Sequence, residues 1–233
     1  MLSQSAAQRT FKSNLLLAIV TAFTAGMTNT AGVMACYSFT TNVTGHTAAF
    51  AGQMIKGNSF EILVIFMWIF LFLLGAGIAH FLIRSFEYKG PHFANAMPLI
   101  LEMLLFTAVG FYGTFYADET TRQTELITGA LLLAMGIQNS AVSTISNTGI
   151  KTSHLTGLFT DLGADIAEWF HPKTNRPPAL KQKLLLRFSI LFFYLFGALA
   201  GGFCYNLFSF GVFYIIAAIV LLIILFDLFF KAS

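Results

Sequence analysis

The chain has 233 residues, of which 57% are hydrophobic and only 10% charged, with a mean hydropathy of +0.76. Soluble domains carry about a quarter of their residues as charges, so an aqueous globule is excluded and the lipid bilayer is the expected partner for most of the surface. A formal charge of +3 is too small to point to nucleic acid, and Cys36 and Cys204, far apart in apolar sequence, form neither a disulfide framework nor a metal motif.

A short polar segment with Arg9 and Lys12 leads into six apolar runs, at roughly 14–36, 60–83, 96–117, 124–147, 184–206 and 208–230. Each is near or above the roughly 20 residues that cross a hydrocarbon core as a helix. A crossing segment must satisfy its own backbone, and the runs lack the alternation of barrel strands, so helices are predicted. Basic residues fix the orientation. With both termini cytoplasmic, the inner segments hold Arg9, Lys12, Arg84, Lys89, Lys151, Lys173, Arg176, Lys181, Lys183, Arg187 and Lys231. The outer segments hold only Lys56 and Arg122.

Within this oil lies a polar pattern that occurs twice. Gly26-Met27-Thr28-Asn29 leads to Asn42-Val43-Thr44-Gly45-His46, and Gly136-Ile137-Gln138-Asn139 leads to His154-Leu155-Thr156-Gly157. Asn29 and Asn139 are 110 positions apart (139 − 29), and the Thr-Gly pairs 112 (156 − 44). Gly75-Ala76-Gly77 and Gly197-Ala198 repeat at an offset of 122 (197 − 75), which places an insertion at the proline-marked loop of about 171–183. Repeat one covers about 14–117 and repeat two about 124–230, in one membrane domain over 1–233. Three spans per copy make the second copy enter the membrane from the opposite face. The predicted fold is an all-α integral membrane protein with six transmembrane helices as a 3+3 inverted repeat. After each Thr-Gly comes a run too short to cross, 48–55 and 158–170, read either as a re-entrant half-helix or as a helix on the membrane surface.

Asn29, Asn42, Thr44, Gly45, His46, Gln138, Asn139, Thr156 and Gly157 are the candidate binding residues for a small polar or anionic solute. Amides at depth bind polar groups or bridge helices, and a half-helix that starts at Thr-Gly offers N–H groups to an anion. Glu102 is the one acidic residue deep inside a run. A charge there costs about 2.5–3.5 kcal/mol, so it is a candidate for proton coupling, or an acid that packs against another helix. Asp161 and Asp165 are expected to be solvated. No HExxH, nucleophile elbow, catalytic carboxylate pair or phosphate-cradling glycine loop is found, so catalytic residues, metal and cofactor are all expected to be none.

Asn42-Val43-Thr44-Gly45-His46, Leu101-Glu102, Ala134-Met135-Gly136-Ile137-Gln138-Asn139 and Thr156-Gly157 resemble the YoaK family, over about residues 14–230. Those are six-helix inner-membrane proteins of bacteria, of unknown function. The resemblance implies the bacterial cytoplasmic membrane and carries over no catalytic residue. Two positions depart from the family pattern: Asn29, where Asp is frequent, and His46, where Asn is frequent. The expected function is a small-solute transporter or channel with a central site between the repeats. The other reading is a non-transporting partner or assembly protein in which Thr-Gly and the amides are packing elements. The sequence leaves a homo-oligomer open.

Overall fold

The computed structural model describes residues 2–3, 9–116, 121–146, 152–172 and 175–230. Lys151, Lys173 and Lys231, counted above for the orientation, lie outside them. Among the described residues there are eight α-helices and no strand. They are α1 (Phe11–Cys36), α2 (Val43–Lys56), α3 (Ser59–Phe86), α4 (Pro91–Tyr116), α5 (Thr121–Ser146), α6 (Leu155–Phe170), α7 (Pro178–Phe208) and α8 (Val212–Phe230).

Five helical stretches are long and apolar enough to cross a membrane. The last, Pro178–Phe226, has 49 residues, far more than one crossing needs. A 3-10 turn at Ser209–Gly211 divides it into α7 and α8, with Ser209 at φ 49°. The helices begin and end within a few residues of the apolar runs, because polar caps stand at the edges of the oil. Thr10 Oγ1 accepts from Ser13 N at 3.3 Å and opens α1. Asn42 Oδ1 accepts from Gly45 N at 2.9 Å and opens α2. Gly57, at φ 71°, closes α2 in the left-handed conformation that glycine reaches without cost. Pro178 sits in the first turn of α7, where its missing N–H is not needed.

α1 and α5 are the most buried long helices, while α3 shows much of its surface. The exposed positions of α3 and α7 carry Phe66, Leu73, Phe81, Leu199 and Phe203, apolar surface that suits lipid and not water.

Glycine sets how closely the helices approach. A Cβ on Gly26 of α1 would stand 2.0 Å from the Tyr194 carbonyl of α7, and one on Gly197 would stand 2.0 Å from the Phe23 carbonyl. A Cβ on Gly136 of α5 would stand 2.2 Å from the Phe72 carbonyl of α3, and one on Gly75 would stand 2.2 Å from the Leu133 carbonyl. Backbone touches backbone in both pairs, the packing that small residues permit in membranes. The two pairs correspond residue for residue: Gly26 with Gly136, Phe23 with Leu133, Phe72 with Tyr194.

Contacts also give the helix directions. Along α1 and α7, Phe23 meets Gly197, Met27 meets Gly201 and Thr30 meets Gly202, so the two run parallel. Along α3 and α5, Trp68 Nε1 donates to the Glu125 carbonyl at 3.0 Å and His80 Nδ1 lies 3.4 Å from Thr144 Oγ1, also a parallel run. α1 and α5 are antiparallel. Asn14 Nδ2 donates to the Ser146 carbonyl at 3.2 Å, Gln138 Nε2 donates to the Thr21 carbonyl at 2.9 Å, and Gly32 faces Leu131.

The short helices dock on the outer pairs, α2 on α3 and α6 on α7. α2 has 14 residues, about 21 Å at 1.5 Å per residue, which falls short of a bilayer core. α6 is held by charge. Arg187 of α7 donates to the Asp165 carboxylate and, at 3.0 Å, to Asp161 Oδ2. Both aspartates are therefore paired; Asp161 stays exposed, as expected, while Asp165 is buried, contrary to the expectation that it is solvated. Sequence could not pair them, because 22 and 26 positions separate each from Arg187.

Candidate functional site

A cavity of about 650 Å³ opens where the two copies of the polar pattern meet. Asn29 of α1 and Asn139 of α5 both line it. The segment before α2 contributes Thr41 and Asn42, and the segment before α6 contributes Ser153 and His154. Thr44 and Thr156, second residues of the two short helices, reach it as equivalents, and so do Phe72 of α3 and Tyr194 of α7. Among the described lining residues none is Asp, Glu, Lys or Arg.

On the α1 side the polar groups are occupied by one another. Thr40 N donates to Asn29 Oδ1 at 3.1 Å. The Tyr194 hydroxyl lies 3.4 Å from Thr41 Oγ1 and also interacts with the Asn29 side chain. On the α5 side the arrangement differs. Asn139 Nδ2 donates to Ser153 Oγ at 2.5 Å, while Asn139 Oδ1 and Thr152 Oγ1 have no partner among the described residues. These two orphans occupy the positions equivalent to the bonded Asn29 and Thr40. The bond that Thr40 N gives Asn29 Oδ1 has no counterpart at Asn139 Oδ1 among the described residues. Phe72 also stands where the other copy has Tyr194.

Of the two helix N-termini at the cavity, that of α2 carries a side-chain cap and that of α6 has no side-chain cap hydrogen bond. Asn42 caps α2 through Gly45 N. At α6, the His154 ring lies over Gly157, where a Cβ would come within 2.6 Å of Cδ2. Gly45 is cut back for the same reason, since a Cβ there would stand 2.7 Å from Asn42 Nδ2. The Thr-Gly pairs are therefore first turns of short helices, in which threonine lines the cavity and glycine makes room for the side chain of Asn42 or His154.

The remaining candidate residues lie elsewhere. Gly45, Gly157, His46 and Gln138 are not in the lining. The buried His46 holds the Phe39 carbonyl through Nε2 at 2.7 Å and packs edge-on against Trp68. Gln138 bridges α5 to α1, donating to the Thr21 carbonyl and, at 2.7 Å, to Thr24 Oγ1. Glu102 is fully buried in α4, outside the lining, and neither of its oxygens has a hydrogen-bond partner among the described residues. No group of three or more potential metal ligands occurs among the described residues.

Sequence reading placed Thr41 and Ser140 in the repeated polar pattern without assigning them to the site, and it missed Tyr194, Ser143 and Thr144; all five line the cavity. Ser140, Ser143 and Thr144 follow Asn139 at helical spacing, so a polar stripe on an otherwise apolar helix could have found them. Tyr194 could have been found as a tyrosine within the Phe-rich stretch 188–196.

A family model described as "Protein of unknown function (DUF1275)" matches residues 17–226, which includes every residue of the cavity wall. No curated protein matches the chain, so no named relative carries the YoaK name to it, and no solved structure matches.

Proposed function

The chain belongs to the DUF1275 family of proteins of unknown function, and from that premise we propose that it is a small-solute transporter or channel built as a 3+3 inverted repeat. The observation that carries the reading is a cavity to which equivalent segments of both halves contribute, Asn29 with Asn139 and Thr44 with Thr156. Polar breaks at matching places in two halves are what a central transport site requires. The helix directions support the inversion. α1 and α5 are equivalent and antiparallel, which calls for a two-fold axis across the helices, in the membrane plane. Six crossings follow when α7 and α8 each cross and α2 and α6 do not. The excess of Lys and Arg on one side supports cytoplasmic termini in a bacterial inner membrane.

Glu102 is the proposed coupling group. It is buried without a partner among the described residues, an expensive arrangement at bilayer depth that packing alone does not repay. The alternative of a non-transporting partner protein draws support from His46 and Gln138, whose bonds serve packing.

Purified protein in liposomes, loaded with a panel of small solutes, tests the proposal. Saturable flux is expected, with a loss of at least tenfold in Glu102→Gln. No flux and no binding across the panel would reject transport, and wild-type flux in Glu102→Gln from pH 5 to pH 8 would remove the coupling role alone.

A further inference from the structure

Resting on the transport reading, we infer that the cavity takes an uncharged, hydrogen-bonding solute such as a sugar or a nucleobase, and that Asn139 is its specificity-determining residue. Three observations converge. First, the described wall offers carboxamides, hydroxyls and aromatic rings, and none of its described residues is Asp, Glu, Lys or Arg. Second, of the two helix ends that could cradle an anion, α2 is capped by Asn42, which an anion would have to displace, while at α6 the His154 ring stands beside Gly157 without a cap hydrogen bond. Third, the wall has a vacancy on one side only. Asn29 Oδ1 has a backbone donor from the chain itself, the Thr40 N–H. Asn139 has Ser153 alone, and with either orientation of the amide one arm stays unpaired.

A buried polar arm without a partner is costly, so a ligand that supplies the missing partner gains what the Thr40 N–H supplies to Asn29 on the other side. The unpaired arm is shielded from water, so the solute meets it as Asn139 turns from Ser153. At about 30 Å³ per water, the 650 Å³ cavity holds roughly twenty waters, room for one ring compound and several waters.

Phe72→Tyr supplies the hydroxyl that the chain lacks at this point. It should occupy Asn139 from within and weaken binding about tenfold, and Asn139→Ala should weaken it by a similar factor. Because both changes remove one interaction, the double variant should bind no more weakly than either single one. The experiment is equilibrium binding of labelled hexose and labelled nucleobase to the full chain in detergent, with phosphate and a short dicarboxylate as competitors. A retained thermal transition shows that each variant is folded. Expected are binding of one neutral probe, no competition by the anions, and the non-additive pair of variants. The hexose and nucleobase arms separate the two neutral sources. Binding of an anion that neither neutral probe displaces would overturn the inference and leave transport standing, and so would wild-type binding in both single variants. Absence of binding and of flux for every probe would overturn the transport reading and this inference with it.

Discussion

The α1 and α5 sides of the cavity are made from the same pattern, yet one is closed on itself and the other is not. Asn29, Thr40, Thr41 and Tyr194 satisfy each other. Asn139, Thr152, Ser153 and Phe72 hold the equivalent places and leave two orphans. The backbone scaffold is nearly identical on both sides, as the matched glycine contacts show. What differs is the Thr40 N–H, which reaches Asn29 but has no counterpart at Asn139 among the described residues, together with the phenolic oxygen that Phe72 lacks. The repeated pattern thus brings polar groups together, and local differences decide which of them are free to meet a solute.

The largest effect should come from breaking what the two sides share. Gly26→Ala and Gly136→Ala each drive a methyl into a facing carbonyl, and each should cost about 3 kcal/mol, the upper end for overpacking. Thermal unfolding in detergent should show the two as equal within about 0.5 kcal/mol. A large inequality would mean that the scaffolds are not equivalent.

Arg187→Ala comes next and separates the short helices. It leaves the buried Asp165 without its cation and should cost about 2 kcal/mol, between the values for exposed and buried pairs. Limited proteolysis should cut near α6 faster and leave α2 unchanged, since α2 docks on α3 without an ion pair among the described residues.

The smallest effects sharpen the comparison most. Asn29→Ala strips the buried Thr40 N–H of its acceptor and should cost about 1–2 kcal/mol. Asn139→Ala removes an amide that already lacks one partner, so its cost to the ligand-free protein should stay under about 0.5 kcal/mol. Denaturation of both variants without solute checks this. Equal costs would mean that the two sides are equally satisfied.

Much of the scaffold was legible in the sequence because bilayer thickness sets the length of an apolar run, and polar caps mark its ends. Asn29 and Asn139 could be paired because each repeats at a fixed offset, and both reach the cavity. The roles of His46 and Gln138 could not be read. A polar residue in an apolar run looks the same whether it turns toward a cavity or toward a neighbouring backbone, and only tertiary contacts separate the two. Tyr194 escaped for the opposite reason, since a phenol among phenylalanines differs by one atom. The glycine motifs announced close approach. That α1 would meet α7, and α3 meet α5, required the packed structure.

That pairing has a consequence for how the protein is made. α1 ends at Cys36 and its parallel partner α7 begins at Pro178, 142 positions later (178 − 36). At about 5–20 residues per second, α1 waits roughly 7–30 s in the bilayer before the helix that fills its glycine groove has begun to emerge. α1 packs on α7 and α3 on α5, so α1 cannot finish packing before most of the chain has been synthesised. A ribosome that stalls between α6 and α7 would leave in the membrane a chain whose most closely cut surface, around Gly26, still faces lipid.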